Sequence, residues 1–420
     1  MKAFLTPKST YEIPLLNGLR GVSVMMILIY HCFMLPVLVL YRDKPVLLHQ
    51  YLNQIPDYLL FVFGFDKAVD IFFILSAYLL CSQLLAEYSR TSGIQLGQFY
   101  IRRFFRIMPI YLFALVLYSL FVKDFHPRLI HNLLFIDNFY HDSIIQVGWS
   151  LSIEVQFYII LPFVILFLNR LKSNKGLILG ILFIISMGLR FFICINHPEL
   201  IEVTWVAMLD NPDEVFDAMT VIYTPTHARF GLLILGMMWA YLAHSKHWLE
   251  KFKRIPRNLV WPLFVLSISA IMLSLQFPAY HQESWVYNYF GTEINIWWLT
   301  LHRSVFGLGV LGVMILLELQ LLPGKLDRFL TVILSHKVWR VPAQLSFPIY
   351  LFHFPVIFVT YLLIFRTTDY RTIMSIDVTD VFVSVIIATI LIVTISMILH
   401  RFIERPMIQK GKALSQTSVK

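Results

Sequence analysis

The sequence predicts an all-α, polytopic membrane protein of about ten transmembrane helices with both termini in the cytoplasm. Three observations carry that prediction. Hydrophobic residues make up 58% of the 420 positions and charged residues only 14%, a balance outside that of soluble globular domains. Apolar stretches of about twenty residues recur from end to end, each long enough to cross a hydrocarbon core of about 30 Å as a helix, whose backbone satisfies itself there. With the N-terminus inside, most Lys and Arg fall in the inner connections, as the retention of basic loops in the cytoplasm requires.

The spans read as 14–40, 58–86, 109–122, 148–169, 176–195, 228–244, 258–277, 296–318, 341–365 and 378–400. The first is too long and too charged for a cleaved signal peptide. Arg20, Lys67, Arg190, Arg229 and Arg303 fall within spans. The net charge of +9 is mostly a topology signal, and no basic, aromatic-interleaved module points to nucleic acid. Cys32, Cys81 and Cys194 lie in apolar spans without metal-like spacing and read as core fillers, so neither a disulfide framework nor a metal site is expected. No linker or repeat divides the chain; it reads as one membrane domain over 1–408 and a polar cytoplasmic tail over 409–420. The longest polar outer connections are 196–226, rich in acids (Glu199, Glu202, Asp210, Asp213, Glu214, Asp217), and 278–295, rich in aromatics (Tyr280, Trp285, Tyr287, Tyr289, Phe290). They suit either a sugar-binding face or a solvated loop beside an interfacial aromatic belt.

In the first span, Arg20 and His31 are eleven positions apart. That interval is three helical turns plus roughly 20°, so both lie on one face, about 16 Å apart along the axis. Arg20 is near the cytoplasmic end and His31 past the midplane, where an ionisable group faces a cavity or a partner. In the second span Lys67 and Asp70 share a face at i, i+3, with Asp70 about 18 Å in from the outer side. Asp70 is placed either to orient His31 or to neutralise Lys67. On the inner side, FYIRRFFRIMP carries Arg102, Arg103 and Arg106; the last two, at i, i+3, present two guanidinium forks to one phosphate or serve as positive-inside anchors, and Pro109 begins the next span. The fourth span opens VGWSLSIEVQFY, with Glu154 its only carboxylate and Ser150, Ser152 and Gln156 nearby. Such a carboxylate needs a donor, a cation or a proton, which an acceptor hydroxyl or the His31 imidazolium would supply. Trp149 in the same block and His353 in LSFPIYLFHFP join Glu154 as candidate substrate-binding residues, with a satisfied core histidine as the plainer reading of His353. At the end of the last span Glu404 and Arg405 read as an interfacial ion pair.

Taken together, these residues resemble acyltransferase family 3. The resemblance rests on NGLRG with the Arg20 to His31 spacing, VDIFFILSAYLL, YIRRFFRIMP, WSLSIEVQFY, LSFPIYLFHFP and IERP, in the family's order over residues 16 to 408. Asn17 stands where an aspartate is common, Ala77 where a glycine is usual, and Val155 where many members carry a second acid, leaving Glu154 alone in that role. The resemblance implies a cytoplasmic-membrane enzyme that transfers an acyl group, commonly acetyl from acetyl-CoA, to a hydroxyl of an exported cell-surface glycan. Arg20, Arg103 and Arg106 would hold the CoA phosphates and His31 would act as general base, with Asp70 or Glu154 fixing its tautomer. An acyl-histidine intermediate is the alternative route. Some members carry a fused extracellular hydrolase-like domain; none is expected here, because the chain ends about twenty residues after the last span. A secondary transporter would also place ionisable residues at the midplane, usually with inverted repeats and matched broken helices, and neither pattern is visible. A non-enzymatic scaffold leaves the Arg20 to His31 register unexplained.

Overall fold

The computed structural model describes residues 14–121, 125–140, 142–202, 218–276, 285–291 and 293–417. Its long helices are α1 (Pro14–Leu35), α2 (Ala68–Thr91), α3 (Leu96–Ser119), α4 (Gly148–Arg170), α5 (Lys175–Asn196), α6 (Thr226–His244), α7 (Arg257–Leu275), α8 (Glu293–Glu318), α9 (Ser346–Ile364), α10 (Val378–Leu399) and α11 (Arg405–Thr417). No strand occurs among the described residues. Most of the acidic outer run, 203–217, and residues 277–284 lie outside the described residues.

Among the described residues, eight helical stretches are apolar and long enough to cross a membrane, against about ten expected. The two that fall short are α3 and α6. The first carries Arg102, Arg103 and Arg106 and the second Arg229, and guanidinium groups lower the mean hydropathy that length and composition measure. Pro109 does not begin α3 but sits inside it. Membrane helices tolerate such prolines because neighbouring groups satisfy the freed carbonyls. Pro355 inside α9 shows how: it lacks the N–H that would bond to Leu351, and the Leu351 carbonyl accepts from the Tyr118 hydroxyl at 2.7 Å.

The centre is formed by α1, α2, α6, α8 and α9, with α5, α7 and α10 outside them, their Ile184, Leu266 and Ile386 exposed as lipid-facing side chains should be. α2 packs along α6, α7 along α8, α9 along α10, and α11 along α3. Glu318 ties three central helices by accepting from the Tyr78 hydroxyl and, at 2.8 Å, from Trp239 Nε1. The α2–α6 seam needs a residue without a side chain at 236. A Cβ there would collide with the Ile74 carbonyl oxygen, an atom of backbone that cannot swing away. Gly236→Leu is expected to cost about 1–3 kcal/mol through overpacking, read as a lower melting temperature in detergent; unchanged melting would mean that the seam is looser than this.

Other ends have local causes. Asp377 and Asp380 form a reciprocal capping box at the start of α10, and Asn174 caps α5 by accepting from Gly176 and Leu177. The second span begins not as α-helix but as a 3-10 stretch, Asp57–Lys67, so Asp70 lies in the first turn of α2. Residues 409–417, expected as part of a polar tail, belong to α11, where Gly411 faces Phe105 of α3. Glu404 is buried and pairs with His400 Nδ1 at 2.6 Å, correcting the Glu404–Arg405 ion pair: a single turn of π-helix brings 400 and 404 together. The three cysteines are buried and free, as expected of core fillers.

Candidate active site

Side chains from α1, α2, α3, α4 and α9 close around a cavity of about 80 Å³ that includes Arg20, Arg106, Glu154, Tyr158, Ser346 and Tyr350 in its lining. The first turns of α4 explain why Glu154 faces it. Ser152 donates to Asp137, while Gln156 donates to the Phe135 carbonyl at 2.6 Å and to Asn138 Oδ1 at 2.9 Å. Positions 152 and 156 are one turn apart on a single face, so position 154, about 200° away, turns to the opposite side. The polar neighbours expected to serve Glu154 are thus anchors for its helix. Ser150 acts similarly: its hydroxyl meets that of Tyr350 at 2.5 Å, and Tyr350 also donates to the Val147 carbonyl at 3.0 Å.

The expected arginines divide. Arg20 and Arg106 line the cavity. Arg103 lies behind Tyr158, its guanidinium 6.0 Å from that ring and 5.9 Å from Phe99. Tyr158 is held by the Ser76 hydroxyl at 3.0 Å. The Nε atoms of Arg20 and Arg103 are buried without a hydrogen-bond partner among the described residues, which leaves donors for an anion to satisfy.

His31 meets a second histidine. Its Nδ1 is 3.0 Å from His353 Nε2 and 2.9 Å from the Ile27 carbonyl, while His353 Nδ1 is 2.7 Å from the Tyr350 carbonyl. Both rings are buried, beside Tyr30 and Phe354. His31 is not among the residues lining the Arg20 cavity. Tyr350 is, and its ring lies 5.8 Å from that of His353. The order from the arginines is therefore Tyr350, His353, His31.

Asp70 and Lys67 are elsewhere. Asp70 accepts from Arg303 Nη1 at 2.8 Å and pairs with Arg229 Nη1 at 3.5 Å; Asp66 pairs with Arg303 Nη2 and with Lys67 at 3.1 Å. Two arginines, from α6 and α8, thus take the Asp70 oxygens, and no direct hydrogen bond from Asp70 to His31 or Lys67 is found among the described residues. Trp149 is buried, its ring 5.0 Å from the Arg229 guanidinium, with Tyr223 at 4.9 Å on that cation, which places it beside the buried ion cluster. Arg190, the other in-span arginine, donates to the carbonyls of Leu299, Thr300, Ile222 and Ala228. Removing one partner of a buried pair strands the other charge, so Asp70→Asn is expected to cost about 3–5 kcal/mol of stability, with activity per folded molecule retained. A fully stable Asp70→Asn protein that transfers nothing would return Asp70 to the chemistry.

Tyr158 and Tyr350 escaped the sequence reading, and Arg303, read as an in-span arginine, was given no partner. A signal existed for Tyr350, which precedes His353 by three positions and so shares its helical face. For Arg303 the in-span charge was visible, but nothing local named its carboxylates, the sequence separation from Asp70 being 233.

Comparison with known proteins bears on the family of the chain. The family model described as "Acyltransferase domain" (Acyl_transf_3) matches residues 13–401. The peptidoglycan O-acetyltransferase OatA of Listeria monocytogenes is 27% identical over 97% of this chain and 57% of its own length. The O-acetyltransferase OatA of Staphylococcus aureus is 27% identical over 95% of this chain and 58% of its own. The chain thus spans a little over half the length of these relatives. No solved structure matches. With the motifs, the helical membrane fold and the match over nearly its whole length in agreement, the chain belongs to acyltransferase family 3.

Proposed function

We propose that this protein is a multi-pass O-acyltransferase of the cytoplasmic membrane, both termini inside, that carries an acyl group, acetyl in the first instance, from acyl-CoA to a hydroxyl of a cell-envelope glycan. The observation that carries the reading is the alignment of a cationic cavity, Arg20 with Arg106, and a buried histidine pair along one helical face of α1. Arg20 and Arg106 bind phosphate oxygens of the donor through charge-assisted hydrogen bonds, and Arg103 reinforces the field from behind Tyr158. The flexible arm of the donor then runs the roughly 16 Å from Arg20 to His31. Tyr350, which lines the cavity and whose ring lies 5.8 Å from that of His353, stands between the two ends. Names of the relatives, O-acetyltransferases and in Listeria a peptidoglycan O-acetyltransferase, support acetyl as the group and a glycan hydroxyl as the acceptor.

His31 acts as general base. It takes the proton of the acceptor hydroxyl as that oxygen attacks the thioester carbonyl; collapse of the tetrahedral species breaks the C–S bond, and the thiolate recovers the proton from the imidazolium. The products are an ester and free CoA thiol, and His31 ends as it began. Glu154, at the cavity wall, is placed to accept from the acceptor hydroxyl or to balance the arginines. The test is transfer by the purified protein in proteoliposomes, supplied with isotope-labelled acetyl-CoA on one side and a glycan acceptor on the other. Mass spectrometry should show the acceptor heavier by one labelled acetyl group. Movement of an unmodified solute without ester formation would favour a transporter instead.

A further inference from the structure

We propose that His353 is a positioning residue that fixes the tautomer of His31, an inference that rests on His31 being the general base. Two backbone carbonyls decide the proton positions. His353 Nδ1 lies 2.7 Å from the Tyr350 oxygen and 3.2 Å from that of Ile349. A ring nitrogen held against carbonyl oxygens carries the hydrogen, because two lone pairs at that distance repel. His353 in its neutral form is therefore Nδ1–H, and its Nε2 is an acceptor. His31 Nδ1 faces the Ile27 oxygen at 2.9 Å and this His353 Nε2 at 3.0 Å. Both are acceptors, so His31 Nδ1 carries hydrogen too. The lone pair of His31 is then left on Nε2, the nitrogen that takes no part in the pair. The opposite arrangement, His353 Nε2–H donating to a bare His31 Nδ1, would set that bare nitrogen against the Ile27 carbonyl.

The pair thus does for His31 what a carboxylate does in hydrolase triads, with a neutral acceptor. Asp70, the nearest candidate from the sequence, is held by Arg303 and Arg229. The pair is also a closed end for protons. The hydrogen on His353 Nδ1 points to helix carbonyls and not to a further titratable group, so the proton that His31 Nε2 takes from the acceptor hydroxyl stays there until the thiolate leaves. No other proton carrier is required for the step to balance.

Two variants separate positioning from packing. Leu at 353 fills the space without an acceptor; Gln places a carbonyl oxygen near the position of Nε2. His353→Leu is expected to lower kcat about 100-fold or more with KM for acyl-CoA changed less than about twofold, and His353→Gln to restore kcat to within about tenfold of the wild type. Ring-¹⁵N labelling, with His31→Gln used to assign the signal, should show a pyrrole-type Nδ1 and a pyridine-type Nε2 on neutral His31. Wild-type kcat in His353→Leu, a Gln variant no better than the Leu variant, or a pyridine-type Nδ1 would each overturn the proposal. If His353→Leu does not fold, the nitrogen types in the unaltered protein decide alone. Should His31→Ala remain active, the base reading itself fails, an outcome distinct from any result at 353.

Discussion

His31→Ala is expected to abolish acyl transfer, with a loss of about 10²–10⁴-fold or to background, while the protein still folds and inserts. An alcohol is a poor nucleophile at neutral pH, and the His31 ring is held through Nδ1 by the Ile27 carbonyl and His353 Nε2, which leaves its Nε2 to take the proton. The substitution leaves a small cavity next to His353, so His31→Gln, which keeps more of the volume, serves as the check that lost activity is not lost fold. Labelled acetyl transfer measured beside thermal melting reads both. Full transfer by either variant would remove His31 from the mechanism.

Arg20→Met is expected to raise KM for acyl-CoA about 10- to 100-fold, the size of one or two hydrogen bonds to charged groups, and Arg20→Lys to recover only part of it, because an ammonium cannot present a planar fork. Arg106→Ala should behave alike. Arg103→Ala should cost less, since its guanidinium stands behind Tyr158 and not on the cavity wall. Acyl-CoA binding by calorimetry on detergent-solubilised protein distinguishes these cases; equal affinity in all three would make the arginines topology anchors.

What could be read from the chain alone follows from range. The helical spans, the Arg20 to His31 register and the i, i+3 arginines depend on neighbours within a few turns, and the periodicity of a helix carries them. Position 154 was legible as a carboxylate in need of a partner, yet the anchors that turn it inward, Asp137 and Asn138, belong to a preceding outer loop. His31 and His353 are separated by 322 positions, and no local pattern announces that two helices will bring them within one hydrogen bond. The partners of Asp70 were illegible for the same reason: Lys67 was visible one turn away, whereas Arg229 and Arg303 were isolated charges in distant apolar runs. The fold was therefore more legible than the site, and within the site the donor end more than the histidine pair.

The ion cluster also constrains how the molecule is made. Alone in lipid, α6 would expose the Arg229 guanidinium to hydrocarbon at a cost of about 2.5–3.5 kcal/mol, and α8 would do the same with Arg303. Both segments are synthesised after the 3-10 stretch Asp57–Lys67 and α2, which bring Asp66 and Asp70 into the bilayer first. Each late helix thus meets its countercharge already in place, so biogenesis is ordered from the N-terminal half, and a chain lacking those two aspartates should be caught by membrane quality control before it ever meets a donor.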